Sequence, residues 1–217
     1  MKFTILTLFP EAVKPYLESS MLWKAQKDNK IKIEIINPRE FTRDKHRRAD
    51  DRPYGGGPGM VLKAEPILRA IAKLKTKSAK PELKIVITNP RGRQFTNEMA
   101  AKWAKKYKEI VVIAGHYEGI DARVKKILKA EEISVGPYTL TGGELPAMIM
   151  IDAITRRIPG VLGKSESLEE SRVASGEVYT RPESFKFRGK TYKVPKILLS
   201  GHHRNIESWR LTKMNKK

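Results

Sequence analysis

The chain has 217 residues, enough for one large domain, or one domain with a small appendage, around a real hydrophobic core. It has no cysteine, which excludes disulfides, thiolate metal sites and cysteine nucleophiles, and no stretch is long and apolar enough to span a bilayer. Lys and Arg outnumber Asp and Glu by 44 to 24, a formal net charge of +20 that favours polyanionic partners, nucleic acid first, through counterion release and long-range steering.

The first ten residues carry a brief apolar run but neither a basic leader nor a small-residue cleavage site, so they read as a β-strand and not a signal peptide, and a cytoplasmic protein with no membrane association is expected. Apolar runs of strand length recur at 3–9, 31–36, 83–88, 110–114 and 132–135, with helical periodicity between most of them. Such alternation predicts an α/β fold with a largely parallel sheet and helices on both faces. Thr96 is set to cap a helix carrying Met99, Trp103 and Tyr107 on one core-facing stripe. A second helix is expected from about Gly143 to Arg157, with Leu145, Met148, Ile149, Asp152 and Ala153 as its apolar face and Pro159-Gly160 as its stop.

Three strands end in polar loops that contain glycine: Thr88-Asn-Pro-Arg-Gly-Arg93, Gly115-His-Tyr-Glu-Gly-Ile-Asp121 and the stretch from Val135 to Pro146. Gly136, Gly142 and Gly143 offer a backbone that a flat ligand can approach, and glycine tolerates the positive φ of a tight loop. Segment 43–59, basic and then glycine-rich, is too long for an idle connector. Segment 164–176, rich in Ser and Glu, reads as a flexible linker to a short basic part, 177–217. Lysines such as Lys102, Lys105 and Lys106 occupy ordinary exposed helix positions, whereas the 43–48 cluster and Arg204, Arg210, Lys213, Lys216 and Lys217 sit where a partner is easily reached.

Several chemistries fail on spacing. Gly163-Lys164-Ser165 resembles the end of a phosphate-binding loop, but the first glycine of that motif would fall at Ile158, after a helix where a strand is required. The dinucleotide-binding glycine fingerprint is missing, and His46, His116, His202 and His203 form no metal-binding set. Carboxylates and arginines remain: Glu118, Asp121, Glu144, Asp152 and Glu169-Glu170, with Arg156-Arg157 at a helix end. A carboxylate base beside an arginine that stabilises developing negative charge suits deprotonation of a nucleobase nitrogen.

Pro53-Tyr-Gly-Gly-Gly-Pro-Gly-Met60, Gly115–Asp121, Tyr138-Thr-Leu-Thr-Gly-Gly-Glu144, Arg156-Arg-Ile-Pro-Gly-Val-Leu-Gly163 and Tyr179-Thr-Arg-Pro182 together, in this order, resemble the bacterial tRNA (guanine-N1)-methyltransferase family of TrmD type. The resemblance runs from Phe9-Pro10 to His203 and implies a SPOUT-class fold with a deep C-terminal trefoil knot. It further implies a methyltransferase domain at 1–163, the linker at 164–176, and a short, truncated C-terminal helical part at 177–217 that binds tRNA. The implied activity is S-adenosylmethionine-dependent methylation of N1 of guanosine 37, next to the tRNA anticodon, by a homodimer with its active site at the subunit interface. By matching positions, Thr88, Asn89, Pro90, Gly115, Glu118, Ile133, Tyr138, Leu140, Gly142 and Gly143 would line the cofactor pocket. Arg156 would neutralise charge on guanine O6. With one residue missing upstream, Glu170 would stand where the family has its aspartate base, the alignment favoured here; without a gap, Ser171 would stand there and the base would be lost. Asp50, Arg52, Tyr54, Gly57, Ser171, Arg181 and His202 would meet the tRNA, and the question whether Mg2+ assists stays open. Pro137 stands where the family usually has an aspartate, and the chain stops earlier than the family's C-terminal domain. The rival reading is a non-catalytic RNA-binding SPOUT homologue, or one that methylates ribose 2′-OH or ribosomal RNA.

Overall fold

The computed structural model describes residues 1–75, 82–162 and 177–214, and the chain divides into two units, Met1–Leu162 and Gly163–Lys217. Unit 1 begins with β1 (Lys2–Leu6), α1 (Pro10–Leu17), α2 (Ser20–Lys27), β2 (Lys32–Ile36), a 3-10 turn (Pro38–Phe41), β3 (Asp50–Asp51), β4 (Val61–Leu62) and α3 (Ala64–Lys75). It continues with β5 (Leu83–Gln94), α4 (Asn97–Lys106), β6 (Glu109–Ile113), α5 (Ala122–Leu128), β7 (Glu131–Ser134) and α6 (Glu144–Thr155). Five strands form one parallel sheet in the order β2-β1-β6-β5-β7, while β3 and β4 pair separately and antiparallel.

Alternation along each strand divides the core between the two faces. Phe3, Ile5, Val86, Ile110, Val112 and Ile133 pack with α1, α2, α4 and α6, whereas Leu6, Ile85, Ile87, Val111 and Ile113 pack with α3 and α5. Strands covered on both sides need apolar residues at successive positions, which is why β6 reads Ile-Val-Val-Ile without a break. Each fully buried side chain of this size contributes about 1.5–3 kcal/mol of transfer free energy. Thr96 caps α4 by accepting from Met99 N at 3.3 Å, and Met99 and Trp103 are buried with the Tyr107 ring against Trp103, as the stripe predicts.

Two expectations are corrected. The strand expected to end at Thr88 runs on to Gln94 as β5, with a register shift between Thr88 and Arg93, both of which pair with Ile133. The polar 89–92 stretch is therefore a bulge within a strand, a feature that re-aims the chain beside a site. Gly92 permits it, since a Cβ there would lie 2.5 Å from the Glu132 carbonyl carbon and the Ile133 nitrogen. The second correction concerns α6. Of its expected apolar face only Met148 is fully buried; Leu145 and Ile149 are 53% and 44% exposed, and the core is filled by Ala147, Met150, Ile151 and Ile154. A helix apolar on nearly every side has no sequence period to mark the inward face.

Unit 2 holds β8 (Ser184–Phe187) and β9 (Lys190–Lys193), which form an antiparallel hairpin, followed by α7 (Lys196–Leu199) and α8 (His203–Met214). The Tyr179 and Trp209 rings approach to 6.4 Å. The expected linker, with Glu170 and Ser171, lies outside the described residues.

Candidate active site

The carboxyl ends of β6, β5 and β7 are adjacent in the sheet, and their following loops enclose a cleft of about 1040 Å³. In open parallel sheets ligands bind at such strand ends. All ten positions assigned to the cofactor fall on this one cleft: Thr88, Asn89 and Pro90 from the β5 bulge, Gly115 and Glu118 from the loop after β6, and Ile133, Tyr138, Leu140, Gly142 and Gly143 from β7 and the loop before α6.

Direct backbone contact fixes the cleft wall. Gly143 N donates to Gly115 O at 2.6 Å, Gly115 N donates to Thr88 Oγ1 at 3.0 Å, and His116 and Gly142 form an antiparallel bridge. A Cβ on Gly143 would overlap Thr88 Oγ1 and lie 2.6 Å from Gly115 N and 2.8 Å from Ala114 Cα. A Cβ on Gly142 would overlap the Glu144 carboxylate and lie 2.6 Å from His116 Nδ1. Neither of these glycines nor Gly136 has the positive φ expected from sequence; the close approach of two loops demands glycine at 142 and 143, and at Gly136 the crowding comes from the Tyr138 ring two residues on.

Polar groups beneath the wall hold it in place. Thr7 Oγ1 donates to the buried Glu144 at 2.7 Å and accepts from Phe9 N at 2.9 Å, tying the end of β1 to the start of α6. His116 lies against Phe9 and Tyr117, with ring centroids at 4.8 and 4.6 Å, and its Nδ1 sits 3.7 Å from Glu144 Oε2. Glu132, which the sequence reading did not single out, bonds Lys125 through one carboxylate oxygen and accepts from Asn89 Nδ2 through the other at 2.9 Å. The Lys125 ammonium, followed by the Asn89 amide, holds the Glu132 carboxyl below the usual range against the opposing effect of burial. Asp121, a candidate acid from sequence, caps α5 by accepting from Arg123 N at 2.9 Å, and the Arg123 guanidinium keeps its carboxyl low. No local pattern separates Glu132 or His116 from ordinary surface residues, since Asn89, Phe9 and Glu144, which hold them, are distant in sequence.

The glycine-rich segment 53–60 reaches the same cleft. Glu118 N donates to Met60 O at 3.0 Å, and a Cβ on Gly59 would fall 2.6 Å from Glu118 Oε1. Asp50 is half-buried in β3, while Arg52, Tyr54 and Gly57 are exposed and stand outside the cleft lining. The preceding basic cluster is folded by Asp44, whose carboxylate accepts from His46 N and Arg48 N at 2.5 and 2.6 Å; these bonds hold its carboxyl low. Arg181 and His202 are exposed in unit 2. Among the described residues, no group of three or more His, Asp or Glu could hold a metal ion, and no helix is long and apolar enough to cross a membrane.

Arg156 is elsewhere. It follows α6, a 12-residue helix about 18 Å long, so that helix separates it from Gly143 at the cleft. There it lines a second cavity of about 250 Å³ with Tyr16, Met21 and Asp152. Tyr16 Oη donates to Asp152 Oδ2 at 2.7 Å, a bond that raises the phenol's pKa.

A parallel α/β sheet whose adjacent strand ends carry a glycine-walled cleft lined by both carboxylates and cations, with an arginine set apart from it, defines a ligand-binding α/β enzyme scaffold. The whole chain, residues 1–217, matches the family model described as tRNA (Guanine-1)-methyltransferase TrmD. Relatives called tRNA (guanine-N(1)-)-methyltransferase include those of Desulforamulus reducens, 46% identical over 97% of this chain and 82% of the relative, and of Moorella thermoacetica, 43% identical over 97% and 84%. The protein of Thermosipho africanus with the same name is 46% identical over 97% of this chain and 83% of its own length. The chain belongs to the TrmD family of tRNA (guanine-1)-methyltransferases.

Proposed function

We propose that this enzyme methylates N1 of guanosine 37 in tRNA with S-adenosylmethionine as the donor, in a homodimer whose two clefts are each completed by the second copy. The observation that carries this reading is the convergence of all ten cofactor positions on one cleft whose wall excludes even a Cβ at Gly142 and Gly143. That cradle fits a flat nucleoside held by main chain, and the Glu118 carboxylate suits the positive charge of a sulfonium and an ammonium group. When bound, S-adenosylmethionine supplies an electrophilic methyl group. The chain's own part is to bind, orient and move one proton. Guanine N1 carries that proton; Glu170 accepts it as general base, and Arg156 neutralises the charge that grows on O6. With that proton on Glu170 and the charge on O6 met by Arg156, N1 would present a lone pair able to displace the methyl group from the sulfonium sulfur, which would leave as the neutral thioether. No covalent enzyme intermediate is needed, in keeping with the absence of cysteine.

Arg156 cannot reach its own cleft along a rigid helix of about 18 Å, which supports delivery from a partner. The exposed Leu145 and Ile149, with Met21 also exposed, supply an apolar surface for that second copy. The trefoil knot belongs to the same proposal: Gly143 enters against Thr88, Ala114 and Gly115, deep among the loops of earlier strands. The net charge of +20 suits tRNA, and the cytoplasm, where tRNA is modified, is the compartment we assign. Incubation with a guanosine-37 transcript, digestion and mass spectrometry tests the reading. The expected product is 1-methylguanosine; a 2′-O-methyl nucleoside, or binding without transfer, would favour the alternative classes.

A further inference from the structure

The hairpin of unit 2 carries none of the cofactor, catalytic or tRNA-contact positions assigned from sequence. Its register sets Phe185 opposite Tyr192 and Phe187 opposite Lys190, so alternation places these four side chains on one face and Ser184, Lys186, Thr191 and Lys193 on the other. All eight strand residues are exposed, with Phe185, Phe187 and Tyr192 at 57%, 56% and 47%. Phe185 and Tyr192 stack with centroids 5.5 Å apart and planes 20° from parallel, and the Arg188 guanidinium lies 5.3 Å from the Phe187 ring centre. Arg188 and Gly189 have φ of +47° and +75°, the paired positive values of a type I′ turn, whose twist matches the strands it joins. Arginine seldom adopts this conformation, and here it accompanies a guanidinium held over an aromatic ring at the hairpin tip.

Two strands with neither face buried are marginal by themselves, and three neighbouring exposed rings call for an occupant. Its chemistry follows from the rim. Lys190 shares the face of the rings and Arg188 stands at the tip beside Phe187, while Lys186 and Lys193 add charge on the other face, and no acid lies between Ser184 and Lys193. Flat rings flanked by cations match flat bases joined by phosphates, the pairing by which proteins hold single-stranded nucleic acid. We infer that the Phe185–Phe187–Tyr192 face stacks unpaired bases of the RNA substrate, so that this hairpin grips a looped strand and not a duplex. The inference rests on the proposed tRNA substrate.

The full chain carrying Phe185→Leu and Tyr192→Leu together keeps apolar bulk while removing the rings, and Phe187→Leu is a milder second variant; circular dichroism checks that each is folded. Fluorescence anisotropy with a labelled RNA stem–loop and with a fully paired duplex of equal length reads the result. Affinity for the stem–loop should fall roughly tenfold per base stack lost, while duplex binding holds. In turnover KM for tRNA should rise with kcat unchanged. Equal affinity of variant and parent for the stem–loop overturns the inference. So does a changed unfolding temperature or self-association with RNA affinity intact, because the face would then be covered by protein. If the parent chain fails to methylate guanosine N1, the functional reading fails, while this binding comparison still decides the hairpin.

Discussion

Replacing Gly143 with alanine separates the steric demand of the cleft wall from backbone conformation. Gly143 has φ −85° and ψ 0°, a conformation open to alanine, so any cost must come from space. The added methyl would overlap Thr88 Oγ1 and lie 2.6 Å from Gly115 N and 2.8 Å from Ala114 Cα. Carbon contacts prefer about 3.5–4.0 Å, so the start of α6 must retreat from the end of β6 by roughly 1 Å. Overpacking of this kind costs about 1–3 kcal/mol, and weakening the Gly143 N to Gly115 O bond adds about 1 kcal/mol. The transition of unit 1 should drop by roughly 5–15 °C in calorimetry, given about 2–4 °C per kcal/mol for a domain of this size. S-adenosylmethionine affinity by isothermal titration should fall tenfold or more, because the displaced backbone is the proposed binding surface. Thr88→Ala in the same chain removes the overlap with the hydroxyl but also the acceptor of Gly115 N, so it should restore only part of the loss. Unchanged unfolding temperature and affinity in Gly143→Ala would refute the reasoning.

Arg156→Ala should leave S-adenosylmethionine binding nearly intact in titration while lowering kcat by a factor on the order of 10²–10³, the scale for removal of a group that meets developing charge; equal loss of affinity would contradict the role. Glu170→Gln should abolish transfer in the labelled-methyl assay with tRNA affinity retained, whereas Ser171→Ala keeps activity; the reverse would make Ser171 the residue at the base position. Lys125→Met tests the ion pair beneath the cleft by thermal unfolding across pH. Glu132 has a folded pKa held below its unfolded value, so its contribution is present above the ordinary carboxylate pKa and is lost as pH falls through the folded one. The variant should therefore lose less stability on acidification than the parent, and parallel curves would remove Glu132 from the account.

The cleft was legible because its parts are local. Glycine-bearing loops follow three apolar runs, and a parallel sheet places their ends together. What stayed hidden depends on tertiary partners. The reason Gly143 must be glycine lies in Thr88 and Ala114, distant in sequence. Likewise, Leu145 and Ile149 face outward on a helix whose composition would allow any face to be buried. The β5 bulge escaped notice because Pro90 and Gly92 argue for a loop in sequence, while pairing of both Thr88 and Arg93 with Ile133 carries the strand onward. The hairpin was missed because its short basic strands resemble a solvated charge run; only the register reveals that their three rings share a face.

Mixing Gly143→Ala and Arg156→Ala chains after dissociation and reassociation most directly tests the claim that each cleft is completed by the second copy. At S-adenosylmethionine concentrations too low to fill the Gly143→Ala cleft, each variant alone should be nearly inactive. If Arg156 acts across the interface, a mixed dimer holds one intact centre, and random mixing restores methyl transfer to about one quarter of the parent's sites. No recovery in verified mixed dimers would place Arg156 and the cleft of the same chain in one centre and contradict the account.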